Sequence, residues 1–217
     1  MNRCFYITLL LSLMLAGCNF APTRRFYGPI ENSPEAMKVA AALDQWPDPA
    51  DFPDGLHRHF FTTIHAGGKR TTATGILRYY GEHDFRITVI TELGAVLFDA
   101  RSSTDDATVY RSLPGLDTSI VQTLFSDLSQ SFIEPSSLEG LELRKTQWVL
   151  HQTDTRRFKH TFEFNPDDGR LQTQNVSMGL FDTLQIAYKH YNVHGWPDEL
   201  QISRPARLYA ISISFDD

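Results

Sequence analysis

A mainly β (α+β) fold is expected for this chain: a curved antiparallel sheet forming an incomplete β-barrel, with a covering or lid helix. Three observations predict it. After Gly55, apolar and polar residues alternate in segment after segment, and Gly-, Asn- and Asp-rich turns separate those segments at hairpin spacing. One stretch, Asp117 to Phe132, instead repeats its apolar residues with the period of an amphipathic helix. Strands with one wet face are characteristic of antiparallel sheets, and a helix with an apolar side must lay that side on the sheet, because neither element buries its own face alone.

The N-terminus is not part of that domain. The apolar run Phe5 to Ala16 follows a lone charge at Arg3 and is shorter than the roughly 20 apolar residues that span a bilayer as a helix. A charged start, an apolar middle and small residues at the end are the order of a secretory signal. The run closes on Leu15-Ala16-Gly17-Cys18, which resembles the lipobox of bacterial lipoproteins. That resemblance implies that residues 1–17 are a lipoprotein signal peptide and that Cys18 becomes the fatty-acylated (palmitate-bearing) first residue of the mature chain. A single acyl chain holds a membrane weakly, so stable attachment needs a multiply acylated cysteine. Asn19, where an aspartate would be the retention signal of enteric bacteria, implies the outer membrane, with the protein facing the periplasm.

Removing residues 1–17 leaves 200 residues, enough for one domain with a sizeable core, and takes the formal net charge from -6 to -7. This negative balance argues against a nucleic-acid partner and against an anionic lipid surface held by charge. The short clusters Arg24-Arg25 and Arg156-Arg157 read as solvated surface. Both cysteines, Cys4 and Cys18, are consumed by the signal and its anchor, so no thiol remains for a disulfide, a metal or a nucleophile.

Residues 18–34, with three prolines and no hydrophobic period, read as a lipid-anchored tether. The single β-rich domain is expected to run over 35–217. It begins with a short helix from Pro34 to Leu43 capped by Ser33, and the prolines at 47, 49 and 53 end it. Gly67-Gly68 separates the strand runs 57–66 and 70–80. A turn at Tyr80 to His83 leads into Phe85 to Val89, and Glu92-Leu93-Gly94 turns that run into Gly94 to Arg101. Asn165 to Gly169 divides 157–164 from 170–178, and alternation recurs at Leu184 to Tyr188 and Tyr209 to Phe215. About ten strands result. The helix between them presents Ile120, Val121, Leu124, Phe125, Leu128 and Phe132 on one side, and Gln122, Ser126, Ser129 and Gln130 on the other.

Chemistry-bearing patterns are sparse. His57 and His59 point to one side of a strand, but no carboxylate or cysteine at short spacing completes a metal shell. His160 shares a face with Phe158, Phe162 and Phe164 and reads as a core histidine. No Gly-x-Ser-x-Gly elbow, nucleotide loop or EF-hand spacing occurs, so no enzyme, metal or cofactor is expected.

The segments Gly75-Ile-Leu-Arg-Tyr79 and Phe85 to Phe98, followed by the helix 120–132, put a strand, a Leu-Gly turn, a second strand and a helix in one order. In this the chain resembles the lipoprotein-localisation carrier and receptor (LolA/LolB-like) superfamily, whose members hold acyl chains between a concave sheet and a helical lid. The resemblance implies an apolar barrel cavity lined by Phe85, Ile87, Val89 and Leu97 of the sheet and by Leu124, Phe125 and Leu128 of the lid. It also implies that Leu93 is an apolar tip touching membrane or cargo. Two functional readings stay open: an envelope lipoprotein that binds lipid or lipoprotein acyl chains, and a structural or adaptor lipoprotein with a filled core and a protein partner in the envelope.

Overall fold

The computed structural model describes residues 24–25, 33–46, 54–81, 84–103 and 106–216. Cys18, the signal segment and most of the tether lie outside them. Among the described residues, thirteen strands form a single antiparallel sheet that is not closed into a barrel.

Two meanders build it. The first runs through β2 (Leu56–Ala66), β3 (Lys69–Gly81), β4 (Asp84–Thr91), β5 (Val96–Ser103) and β6 (Asp106–Ser112). The second runs through β7 (Glu142–Leu143), β8 (Trp148–Thr153), β9 (Lys159–Phe164), β10 (Leu171–Ser177), β11 (Thr183–Tyr191), β12 (Pro197–Arg204) and β13 (Tyr209–Asp216). Pairing of β13 with β2, from Tyr209 opposite Ala66 to Asp216 opposite His59, joins the two. β1 (Arg24–Arg25), inside the expected tether, adds two residues to the edge at β7. That leaves β6 and β1 as the free edges.

Alternation along the strands decides what is inside. In β4 the buried residues are Phe85, Ile87 and Val89, and in β11 they are Leu184, Ile186 and Tyr188, each separated by more exposed neighbours. The sheet curves around this face and a helix covers each opening. α1 (Pro34–Leu43) is capped by the Ser33 side chain, which accepts from Ala36 N–H, and buries Ala36, Val39 and Ala42. Its backbone meets one hairpin turn so closely that a Cβ on Gly169 would fall 2.5 Å from the Lys38 carbonyl oxygen, and just past the helix a Cβ on Gly195 would fall 2.7 Å from the Gln45 carbonyl oxygen. Trp46, just past this helix, packs on Trp196 and Tyr188 with ring centroids 5.9 Å away in both cases. The short helix is thus a plug for the end of the sheet that holds the 165–169 and 192–195 turns, a role its weak apolar stripe did not suggest.

α2 (Thr118–Gln130), capped by Asp117, lies over β5 and β6 beside the sheet's opening. Val121, Phe125 and Leu128 are buried as the pattern predicts, while Ile120 is exposed. Ser129 and Gln130, expected on the wet face, are buried too, because the end of the helix and the turn into Phe132 pass into the interior. There the Ser129 hydroxyl donates to the Ser126 carbonyl at 2.7 Å, satisfying locally what water does not reach.

Candidate functional site

The interior is packed with aromatic rings at one end and lined mainly by aliphatic side chains at the other. Next to α1, large rings pack at tilted angles: Trp46 on Trp196, Trp196 on Phe132, Phe132 on Tyr79 at 5.1 Å and on Phe85 at 5.2 Å. Phe85 also stacks on Phe125 of α2 at 5.4 Å and 10°. This half is solid. Toward the opposite rim the rings give way to Ile64, Ile87, Val89, Ile211 and Ile213 of the sheet beneath Leu124, Phe125 and Leu128 of the helix. These walls, with Phe60, Thr62 and Phe98, surround a narrow apolar cleft with a cavity volume of about 30 Å³. Small-molecule pockets run from about 300 to 1,000 Å³, so the cleft is closed in this state and would have to widen to take a ligand.

Two side chains shape that pocket. Phe60 reaches it only because its partner across the ladder, Gly75, has no side chain: a Cβ there would sit 2.2 Å from Phe60 Cζ. Thr62 is the one polar residue of the lining, and its buried hydroxyl has no hydrogen-bond partner within the protein. A buried hydroxyl left unpaired costs about 1–3 kcal/mol, and this one presents no polar surface to the cleft.

The helix is held from its buried side by an ion pair. Arg204 of β12 donates to Asp127 of α2 at 2.7 Å and bidentately to Asp182 of the β10–β11 turn at 2.8 and 2.5 Å. Burial raises the Asp127 pKa despite this contact, whereas the hydrogen bonds from Arg204 lower that of Asp182. A second buried network ties the helix end to the sheet: the Tyr188 hydroxyl shares its one proton between the Gln174 side-chain oxygen at 2.7 Å and the Ser131 carbonyl at 3.0 Å, and Gln174 meets His160 at 3.1 Å. Burial raises the Tyr188 pKa well above the ordinary phenol range.

Of the residues singled out from the sequence, Ile87, Val89, Leu124, Phe125 and Leu128 come together around the pocket. Phe85 is fully buried one layer deeper, in the ring stack. Leu97 stands outside the lining, because a register shift between Val89 and Ile90 makes it the unpaired residue and gives the inward place to Phe98. Leu93 is fully exposed at the tip of the β4–β5 turn, where Gly94 takes φ +79°. His57 and His59 are exposed on the outer face of β2, and His160 is buried against Phe162 and paired with Asp154 at 3.2 Å. Among the described residues, no group of three His, Cys, Asp or Glu side chains is arranged to hold a metal, and no helix is long and apolar enough to cross a membrane.

An open antiparallel sheet wrapped around an amphipathic helix can be compared with known structures. A LolA superfamily protein from Nitrosomonas europaea superposes with a TM-score of 0.53 at 14% identity, over 82% of this chain and 91% of that one. The fold is LolA-like. A DUF1329 family protein from Desulfovibrio piger gives 0.51 at 14% identity over 86% and 92% of the two chains. A putative outer membrane lipoprotein-sorting protein domain from Vibrio parahaemolyticus gives 0.50 at 12% over 83% and 89%. No family model and no curated protein matches the sequence. In this LolA-like fold the pocket under α2 lies on the concave side of the sheet, with the helix as its cover.

Proposed function

We propose that this chain is a non-enzymatic envelope lipoprotein that holds an acyl chain of a lipid or lipoprotein in the pocket between α2 and the sheet. Cys18 anchors it to the membrane, and the destination is the periplasmic face of the outer membrane. The observation that carries the reading is the narrow cleft between α2 and the sheet, whose exposed surface is wholly apolar. The closeness of the walls implies that α2 lifts to admit a chain. Its first turn, with Ile120 exposed, is the end that moves, while Asp127 and Arg204 hold the other. The fold shared with a putative lipoprotein-sorting domain adds support for lipid or lipoprotein transport.

Native mass spectrometry of the purified full-length protein, together with uptake of a fluorescent fatty acid, tests the proposal. One bound acyl species per chain is expected, with uptake lost in Leu124→Trp, a half-buried site where a larger ring enters the pocket without disturbing the packed half. Absence of both bound lipid and probe uptake in the parent protein would overturn it. The extent of the ring stack around Phe132 and Trp196 favours, as a second reading, an adaptor lipoprotein with a protein partner, and that reading would then take its place.

A further inference from the structure

Five consecutive hairpin turns share the rim nearest the pocket: 154–158, 178–182, 205–208, 67–68 and 92–95. Neighbouring turns lie two strands apart, so roughly 10 Å separates one tip from the next. Leu180 and Phe181 in the second turn are 94% and 91% exposed, and Leu208 in the third is 78% exposed. Cations stand beside them, with Arg156 and Arg157 in the first turn and Arg207 next to Leu208, all on the surface. Lys69 and Arg70 continue the row after Gly68.

This combination is not the ordinary wet end of a sheet. Leu208 has φ +54° and Arg157 has φ +66°, a left-handed conformation that glycine or asparagine adopts at lower cost. Two adjacent regions of the rim therefore keep a bulky apolar and a cationic side chain where the backbone favours neither, which points to a role for the side chains themselves. The opposite rim carries Asp167 and Asp168 in its 165–169 turn, and its large exposed apolar side chains among the described residues are Val193 and, on α1, Met37.

From this we infer that the rim is a membrane-contact surface, with Leu180, Phe181 and Leu208 entering the interface of a bilayer and Arg156, Arg157 and Arg207 meeting anionic headgroups. The formal charge of -6 conceals a local surplus, because the rim carries Arg156, Arg157, Arg207, Lys69 and Arg70 against Asp154, Asp182 and Glu92. Aromatic and aliphatic tips flanked by arginine suit the boundary between headgroups and acyl chains, where the ring or branched carbon enters and the cation stays at the phosphates. The rim lies at the pocket end, so a bilayer held there faces the cleft. The surface does not depend on the pocket being occupied.

The test uses the full chain with a tryptophan placed on the rim, since Trp46, Trp148 and Trp196 are all buried. Phe181→Trp and Leu208→Trp variants are mixed with vesicles of phosphatidylcholine alone or with phosphatidylglycerol added, both carrying brominated acyl chains that quench indole on contact. Quenching of the added emission is expected on the anionic vesicles, weakening as salt is raised. Vesicle partitioning should fall about fivefold for each of Arg156→Gln, Arg157→Gln and Arg207→Gln. Val193→Trp, on the far rim, is the control. Quenching of Val193→Trp as strong as that of Phe181→Trp would mean contact without orientation, and no quenching of Phe181→Trp or Leu208→Trp would mean no rim contact; either result overturns the inference. Fatty-acid uptake measured on the same variants without vesicles separates the two proposals, because loss of quenching with uptake intact removes only this one. Loss of uptake with quenching intact removes only the pocket.

Discussion

Gly75→Ala offers a sharp test of how the pocket is made. Gly75 faces the interior between Phe60 and Val89, and the Phe60 ring lies across it. A methyl group there would meet Phe60 Cζ at 2.2 Å and Cε1 and Cε2 at 2.7 and 2.8 Å, against an ordinary carbon separation of roughly 3.5–4.0 Å. The ring must retreat by more than 1 Å, and the direction left to it is the pocket. Overpacking of this kind costs about 1–3 kcal/mol. In a domain of this size each kcal/mol lowers Tm by roughly 2–4 °C, so a fall of roughly 3–10 °C is expected by differential scanning calorimetry. Fatty-acid uptake should drop with it, because the displaced ring takes up pocket volume. Phe60→Ala alone should cost about 3–5 kcal/mol, yet in the Gly75→Ala background the added cost should be smaller by about 1–2 kcal/mol, the methyl now filling part of the void. Additive effects of the two substitutions, or a Gly75→Ala protein as stable as the parent, would refute the account of Phe60 as a ring resting on an empty glycine.

Other perturbations address the supports around that site. Arg204→Met strands the fully buried Asp127 and should destabilise by about 3–5 kcal/mol in urea titrations at pH 7, while adding Asp127→Leu should recover most of the loss. The Arg86 side chain holds Asp99 below the usual carboxylate range through two hydrogen bonds at 2.6 and 2.9 Å, so its stabilisation is present above the unfolded pKa and disappears as pH falls through the folded one. Asp99→Asn should therefore cost about 1 kcal/mol at pH 7, with Arg86 partly exposed, and much less near pH 3. Gly169→Ala combines φ +75° with a clash on the α1 backbone and should expose the Trp46 surroundings first, seen as a shift in tryptophan emission before global unfolding.

The long hairpins were legible because period-2 alternation and turn residues agree there, as in Ala66-Gly-Gly-Lys69 and in Asn165 to Gly169. β8 was missed since Trp148, Val149 and Leu150 are buried in succession and show no alternation. β6 and β12 carry few apolar residues, and β12 opens on a proline at the mouth of a turn. The phase error at Leu97 came from a bulge that no glycine marks, so the sequence offers nothing to signal that Phe98 turns inward. The apolar stripe of α2 was readable from spacing, but not Asp127, which counts as a polar residue until Arg204, far along the chain, is folded against it. Leu180, Phe181 and Leu208 belong to turns whose polar and glycine neighbours dominate a pattern search, and their shared rim exists only once the strand order is known.

The pairing of β13 with β2 has a consequence for when this molecule can become itself. Phe60 finds its ladder partner Phe215 roughly 150 residues later in the chain, one of the most distant contacts the fold contains. Either meander can begin local hairpins early, yet the aromatic interior is shared between them and stays exposed on one side until the last eight-residue strand is available. Equilibrium cost grows only slowly with such a loop, but the search for it is slow. A nascent chain thus remains pliable until β13 has been made. Removing β13 should leave two sheets that never meet, a failure of assembly instead of a graded loss of stability.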